Sequence, residues 1–237
     1  AKAIINHDDP RLSRCTGAPG VTVLPFSRGP LPPTIDGGFL QDNKGMFRYR
    51  GEEHTILDSV LLKGDHNRIN LLCAALCCVC NGVPAETARR ELRDFAGVEH
   101  RLEFVRDANG VEFYNDSAAT IPDATIAAVG SFDRNVTLIS GGTDKDLDFA
   151  LFAGLGSGTK AIYLLAGNAT DKMIAVLDAH DVPYQGPFTS LEILMECIMQ
   201  ETVAGDIVVF SPGCASFGMF KNEFDRGTRY KAIVKEL

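Results

Sequence analysis

Two kinds of hydrophobic patterning meet near residue 98. Before it, the apolar runs are short: Ala3–Asn6, Val21–Leu24, Gly45–Tyr49 and Glu53–Leu57 read as strands, separated by Pro- and Gly-rich turns such as Pro30–Gly38. A helical pattern covers His66–Asn81 and stops at Asn81-Gly82; a second covers Pro84–Phe95, with proline at its start, where a missing N–H does no harm. No full sheet is evident in this part. From residue 99 on, strand-like runs at Glu103–Asp107, Val111–Asn115, Val136–Ser140, Ala161–Ala166 and Asp206–Phe210 alternate with helical patterns at Pro122–Gly130, Thr170–His180, Ser190–Gln200 and Met219–Lys235. Unbroken apolar strands alternating with helices predict an α/β fold whose largely parallel sheet is covered on both faces.

Composition narrows the function classes. The 237 residues suffice for one large or two ordinary domains, and a hydrophobic share of 45% is normal for a globular core. The net charge of −8, with no basic run, argues against nucleic-acid binding. No stretch approaches the roughly 20 apolar residues of a membrane span, and no secretory signal opens the chain. Seven cysteines do not make a disulfide scaffold at this size, so a reducing cytoplasm is expected. Cys73, Cys77, Cys78 and Cys80 contain a formal C-x-x-C, but no second ligand pair follows at zinc spacing; they read as small buried helix residues.

Five polar segments carry candidate chemistry. In Gly64-Asp65-His66-Asn67-Arg68-Ile69-Asn70, Asn67 and Asn70 share one helix face; their amides suit a purine edge or simple capping equally. In His100-Arg101-Leu102-Glu103, Arg101 offers a planar fork for phosphate or ribose, or else forms a surface salt bridge with Glu103, which shares its face of a strand. Asn115-Asp116-Ser117-Ala118-Ala119-Thr120 ends a strand, and Thr120-Ile121-Pro122-Asp123 looks like a capped helix start. In Gly141-Gly142-Thr143-Asp144-Lys145, Lys145 is either a carboxylate-binding cation or a solvated turn residue. Ser211-Pro212-Gly213-Cys214-Ala215-Ser216-Phe217 precedes the last helix; none of the five histidines falls in a triad pattern with Ser216 or Cys214, which excludes a hydrolase reading. The last three segments each follow a predicted strand, where ligands of open α/β sheets sit.

In this order the five segments resemble the later half of the Mur ligases, most closely the branch that adds D-glutamate. The resemblance covers the chain from about Asn6 onward, although 11–60 is poorly marked. It implies that residues 1–98 are the later part of a P-loop ATPase-like central domain and that 99–237 are a Rossmann-like C-terminal domain. It further implies an ATP- and Mg²⁺-dependent ligase of peptidoglycan precursor synthesis, monomeric and cytoplasmic. Such an enzyme joins D-glutamate to UDP-N-acetylmuramoyl-L-alanine through an acyl phosphate. By the same resemblance Asn67, Asn70, Arg101 and Asp116 serve ATP, Asp116 through the ribose hydroxyls; Thr120, Lys145, Ser216 and Phe217 serve D-glutamate. No Gly-x-x-x-x-Gly-Lys-Ser/Thr loop occurs, so the phosphate loop and metal ligands are expected upstream of Ala1, and the chain is expected to be inactive alone. Two positions depart from the family. Ala118 stands where Lys is usual, which implies a substitute cation elsewhere, and Glu223-Phe224 reverses an aromatic–acid order. A family ligase for another amino acid and a non-catalytic binding module are the alternatives.

Overall fold

A computed structural model describes residues 1–237 as two compact units, Ala1–Gly97 and Val98–Leu237. The first unit holds a five-stranded sheet in the order β1 (Lys2–Asn6), β2 (Thr22–Ser27), β3 (Gly37–Gln41), β4 (Lys44–Tyr49), β5 (Glu52–Leu57). β1, β2 and β3 are parallel; β3, β4 and β5 form antiparallel pairs. The sequence suggested no such sheet because β3 begins in the stretch read as a turn. Gly38 makes room for the helix packed on this sheet: a Cβ there would lie 3.3 Å from the Leu76 side chain. Arg48 holds the Pro-rich loop down, with Nη1 donating to the carbonyls of Leu31, Pro32 and Ile35 and Nε to Glu53.

Two helices complete the first unit, α1 (Asp65–Cys80) and α2 (Ala85–Arg93). α1 buries Ile69, Leu72 and Leu76, at the i, i+3 and i+7 positions of one face, against Phe47, Ile56 and Leu57. The cysteines depart from expectation: Cys77 and Cys78 are exposed, and Cys73 and Cys80 are half-buried. Ala75 and the leucines fill the core instead, and of the four cysteines Cys80 packs at its edge.

The second unit holds six strands in the order β10-β9-β8-β11-β7-β6. They are β6 (Glu103–Ala108), β7 (Val111–Asn115), β8 (Val136–Gly141), β9 (Thr159–Leu165), β10 (Gln185–Phe188) and β11 (Ile207–Phe210). All neighbours are parallel except the β6–β7 hairpin. Every residue of β8 and β11 is buried, because the sheet is covered on both faces. Leu138, Leu164 and Val209 face Phe152, Met173 and Leu177 on one side. Ile139, Tyr163, Val208 and Phe210 face Leu194, Ile198 and Tyr230 on the other. The helices are α3 (Pro122–Val129), α4 (Asn168–Ala179), α5 (Leu191–Glu201) and α6 (Glu223–Glu236). α6 starts later than the pattern suggests because the Asn222 side chain accepts the Asp225 N–H, a cap that sets the first turn. No helix is long and apolar enough to cross a membrane.

Candidate functional site

The central parallel strands β8, β11 and β7 lie side by side, with Phe210 opposite both Ile139 and Asn115. Their carboxyl ends therefore release the segments 142–145, 211–217 and 116–120 at one edge of the sheet. Backbone hydrogen bonds knit these loops together. Gly213 donates to the Ala119 carbonyl at 3.0 Å; Thr143 and Ala215 exchange a pair of N–H···O bonds at 2.9 and 3.0 Å; the Thr143 hydroxyl donates to the Phe217 carbonyl. Gly142 makes this close approach possible. Its φ is +140°, and a Cβ there would lie 2.6 Å from the Ala215 carbonyl oxygen.

Asp116 joins three segments. Its carboxylate accepts the Leu102 N–H at 2.9 Å and the Ser211 hydroxyl at 2.7 Å. Burial pushes its pKa up to about 6, against the opposing hydrogen bonds and the positive charge of Arg101. Arg101 itself is exposed and sits just before β6. The salt bridge suggested between Arg101 and Glu103 on one strand face does not form: Glu103 accepts from Lys231 at 3.0 Å, from the His100 N–H at 2.9 Å and from Asn115 at 3.1 Å. His100 is buried, and burial lowers its pKa. A neutral ring with Nδ1 accepting from Asn115 Nδ2 at 2.8 Å fits both facts.

Lys145, Ser216 and Phe217 come together at the ends of β8 and β11. The Lys145 ammonium lies 5.3 Å from the centre of the Phe217 ring, which is 53% exposed. Ser216 lies beneath, with its hydroxyl buried and without a hydrogen-bond partner. A pocket of about 10 Å³, room for one water-sized atom, is lined by Gly141, Gly142, Ser216, Phe217, Phe220 and Arg226, among others. Thr120 is half-buried in the neighbouring loop, but it does not cap α3: the N-cap is Ile121, and Pro122 occupies the first turn without a side-chain cap. Cys214 is fully buried and its thiol is pushed up to about 12 by burial, the reverse of an activated nucleophile.

In the first unit, α1 starts at Asp65 with Gly64 as N-cap, so neither asparagine caps it. Asn67 is half-buried and donates to the Lys63 carbonyl at 2.9 Å, while Asn70 is exposed. His66 is half-buried, and burial followed by the Arg28 charge lowers its pKa. No group of three or more His, Cys, Asp or Glu side chains is arranged to hold a metal ion.

No protein-family model matches the chain. It is 43% identical over 203 residues to the UDP-N-acetylmuramoylalanine--D-glutamate ligase of Roseiflexus sp. (strain RS-1), covering 83% of this chain and 44% of that protein. Its fold matches MurF from Acinetobacter baumannii with a TM-score of 0.70 at 16% identity, over 100% of this chain and 52% of that one. MurF ligase from Thermotoga maritima in complex with ADP matches with a TM-score of 0.61 at 15% identity, over 100% and 54%. This chain belongs to the Mur ligase family. It spans about half the length of the curated relatives it matches.

Two Mur ligase positions and one further residue are clearer in three dimensions. Ala118 is half-buried and brings no charge. Glu223 opens α6, and its backbone carbonyl accepts the Ser117 hydroxyl at 2.7 Å. The residue that sequence reasoning missed is Arg226. Its side chain is fully buried, and it donates to Ser117 Oγ and to the carbonyls of Ser117, Cys214 and Ala215. One sequence signal could have found it: Arg226, Tyr230 and Val234 recur every four residues, and all three are buried on one face of α6.

Proposed function

We propose that this chain supplies the amino-acid site and part of the nucleotide site of an ATP-dependent amide ligase. The enzyme joins D-glutamate to UDP-N-acetylmuramoyl-L-alanine in cytoplasmic peptidoglycan precursor synthesis. The observation that carries this reading is the convergence of Lys145, Ser216 and Phe217 at the ends of adjacent parallel strands. In that place Lys145 offers an exposed point charge to a carboxylate, Phe217 an apolar lid beside it, and Ser216 an unspent hydroxyl. The names of the relatives, each a UDP-N-acetylmuramoylalanine--D-glutamate ligase, support the same substrates.

ATP, when bound, supplies the phosphoryl group that activates the acceptor carboxylate as an acyl phosphate. On this chain Arg101 suits a phosphate or ribose oxygen, being exposed and beside Asp116, and Asn67 and Asn70 suit the purine edge. The residues present make no Mg²⁺ shell. The chain's own contribution is to hold the D-glutamate amine toward the activated carbonyl, so catalysis rests on positioning and fixed charge.

The test is a titration of the ¹⁵N-labelled chain with D-glutamate, with L-glutamate as control and Lys145→Ala beside it. Saturable, D-selective shifts around residues 143–145 and 216–217 are expected, with affinity about tenfold lower (~1.4 kcal/mol) in the variant. Equal shifts with the L-enantiomer, or none with either, would count against D-glutamate as the substrate.

A further inference from the structure

Arg101 stands between two residues with unusual backbone. His100 has φ +65° and Leu102 φ +44°, the left-handed region that residues other than glycine rarely adopt. His100 is the third residue of a tight turn, closed by the Arg101 N–H on the Val98 carbonyl at 3.1 Å, a place that glycine often takes. Such backbone persists only where its surroundings hold it. Here two carboxylates hold it, one on each side of Arg101. Glu103 Oε2 accepts the His100 N–H at 2.9 Å, and Asp116 Oδ1 accepts the Leu102 N–H at 2.9 Å. The His100 carbonyl accepts the Ala118 N–H at 3.0 Å, and its buried ring is bonded to Asn115. The Arg101 side chain is exposed and takes no part in these bonds. Its neighbours are fixed, and one guanidinium is displayed.

The second observation comes from α6. Lys231 Nζ donates to Glu103 Oε1 at 3.0 Å and to Glu99 Oε1 at 2.6 Å. The Lys231 side chain is 14% exposed and that of Glu103 25%, so the pair between them is shielded from water, unlike an ordinary surface pair. The other Glu103 oxygen accepts from His100 and Asn115. Lys231 therefore fixes the carboxylate that fixes His100, and this chain of contacts ends one residue short of Arg101.

We propose that Glu103 and Lys231 are positioning residues for Arg101: they hold His100 in its left-handed turn and so aim the guanidinium at the nucleotide without touching it. A planar fork of donors binds an anion well only when it is oriented, and the turn supplies that orientation from the backbone side. The inference rests on the nucleotide reading of Arg101 above, which gives neither Glu103 nor Lys231 a role.

The test is a double-mutant cycle on the full 237-residue chain, with ADP as the probe and affinity read from NMR titration. Lys231→Met removes the ammonium and keeps the apolar stem; Glu103→Gln takes its place where Lys231→Met does not fold. The intraresidue HN–Hα NOE of His100, strongest for a left-handed residue, follows the turn itself. Lys231→Met should weaken that NOE and lower ADP affinity about fivefold or more (~1 kcal/mol). Lys231→Arg should restore both, and Lys231→Met should have no further effect in the Arg101→Ala background. A merely structural residue would weaken binding equally in both backgrounds. That equal loss, or an unchanged NOE or affinity in Lys231→Met, overturns the positioning role; if Arg101→Ala still weakens ADP binding, the nucleotide reading stands. If Arg101→Ala leaves ADP affinity unchanged, or ADP does not bind, the nucleotide reading of Arg101 falls and the positioning role falls with it.

Discussion

A Cβ atom placed on Gly227 would lie 2.2 Å from Nδ1 of His100. The last helix therefore sits directly on the segment that precedes β6, with no side chain between them. Ser117 closes the other side, 3.0 Å from the same imagined atom. His100 cannot swing away cheaply, because it is buried and hydrogen-bonded to Asn115.

Gly227→Ala puts two effects in opposition. Alanine favours the helix by about 1 kcal/mol, and the clash with a fixed ring and a neighbouring side chain costs about 1–3 kcal/mol. The clash wins, since 2.2 Å is far inside contact distance. Urea unfolding should show a lower midpoint with an unchanged slope. A higher midpoint would mean that α6 slides freely over His100.

Asp116 should make the second unit less stable at neutral pH than at mildly acidic pH. Its folded pKa, about 6, is raised above the ordinary value of 3.8 by burial. A carboxyl raised on folding contributes stability that is present below its unfolded pKa and is lost as pH rises through the folded one. The window is therefore roughly pH 4 to 6, and the span is about 3 kcal/mol. Asp116→Asn keeps an acceptor for Leu102 and a partner for Ser211, so it should flatten this dependence and raise stability at pH 7. A wild-type unfolding profile that is flat across that window would refute the assignment.

The cysteines should separate by reactivity. Cys15, Cys77 and Cys78 are exposed, whereas Cys214 is buried with its thiol pushed up to about 12. A thiol-modifying reagent at pH 8 should label the exposed three in the native chain and reach Cys214 only after unfolding. Early mass-spectrometric labelling of Cys214 would show that the 211–217 loop opens readily.

Because the chain carries no Gly-x-x-x-x-Gly-Lys-Ser/Thr loop, the purified 237 residues should release no ADP from ATP when UDP-N-acetylmuramoyl-L-alanine and D-glutamate are supplied. A coupled ADP assay checks this, and steady ADP release dependent on both substrates would contradict it.

Much of the second unit was legible because its strands are buried on both faces. A run such as Val111–Asn115 admits little else, and β7 occupies those residues. β10 was missed for the opposite reason: Gln185-Gly186-Pro187-Phe188 is a short edge strand with no apolar run. β3 was missed because Gly37 and Gly38 signal a turn in sequence, while in space Gly38 makes room for α1 and Gly37 for the Pro25 backbone and the Leu31 side chain. At the site, motif order brought Lys145, Ser216 and Phe217 into view. Arg226 stayed hidden because an arginine in a polar final helix normally reads as solvated, and only the packing of α6 shows that it faces inward.

The placement of β11 sets an order in time. This strand, residues 207–210, lies between β7 at 111–115 and β8 at 136–141, so the middle of the sheet is filled by nearly the last piece of the unit to be made. A chain emerging from the ribosome can pair β8 with β9 and fold the β6–β7 hairpin early. It cannot join those halves until residue 210 is free. Loop-closure entropy makes that late, long-range step slow. Until it happens, the exposed edges of β7 and β8 are unpaired and prone to mispairing. The segment that brings Ser216 and Arg226 follows immediately after β11, so a chain cut short before that strand would lack both the 211–217 loop and the keystone of its sheet.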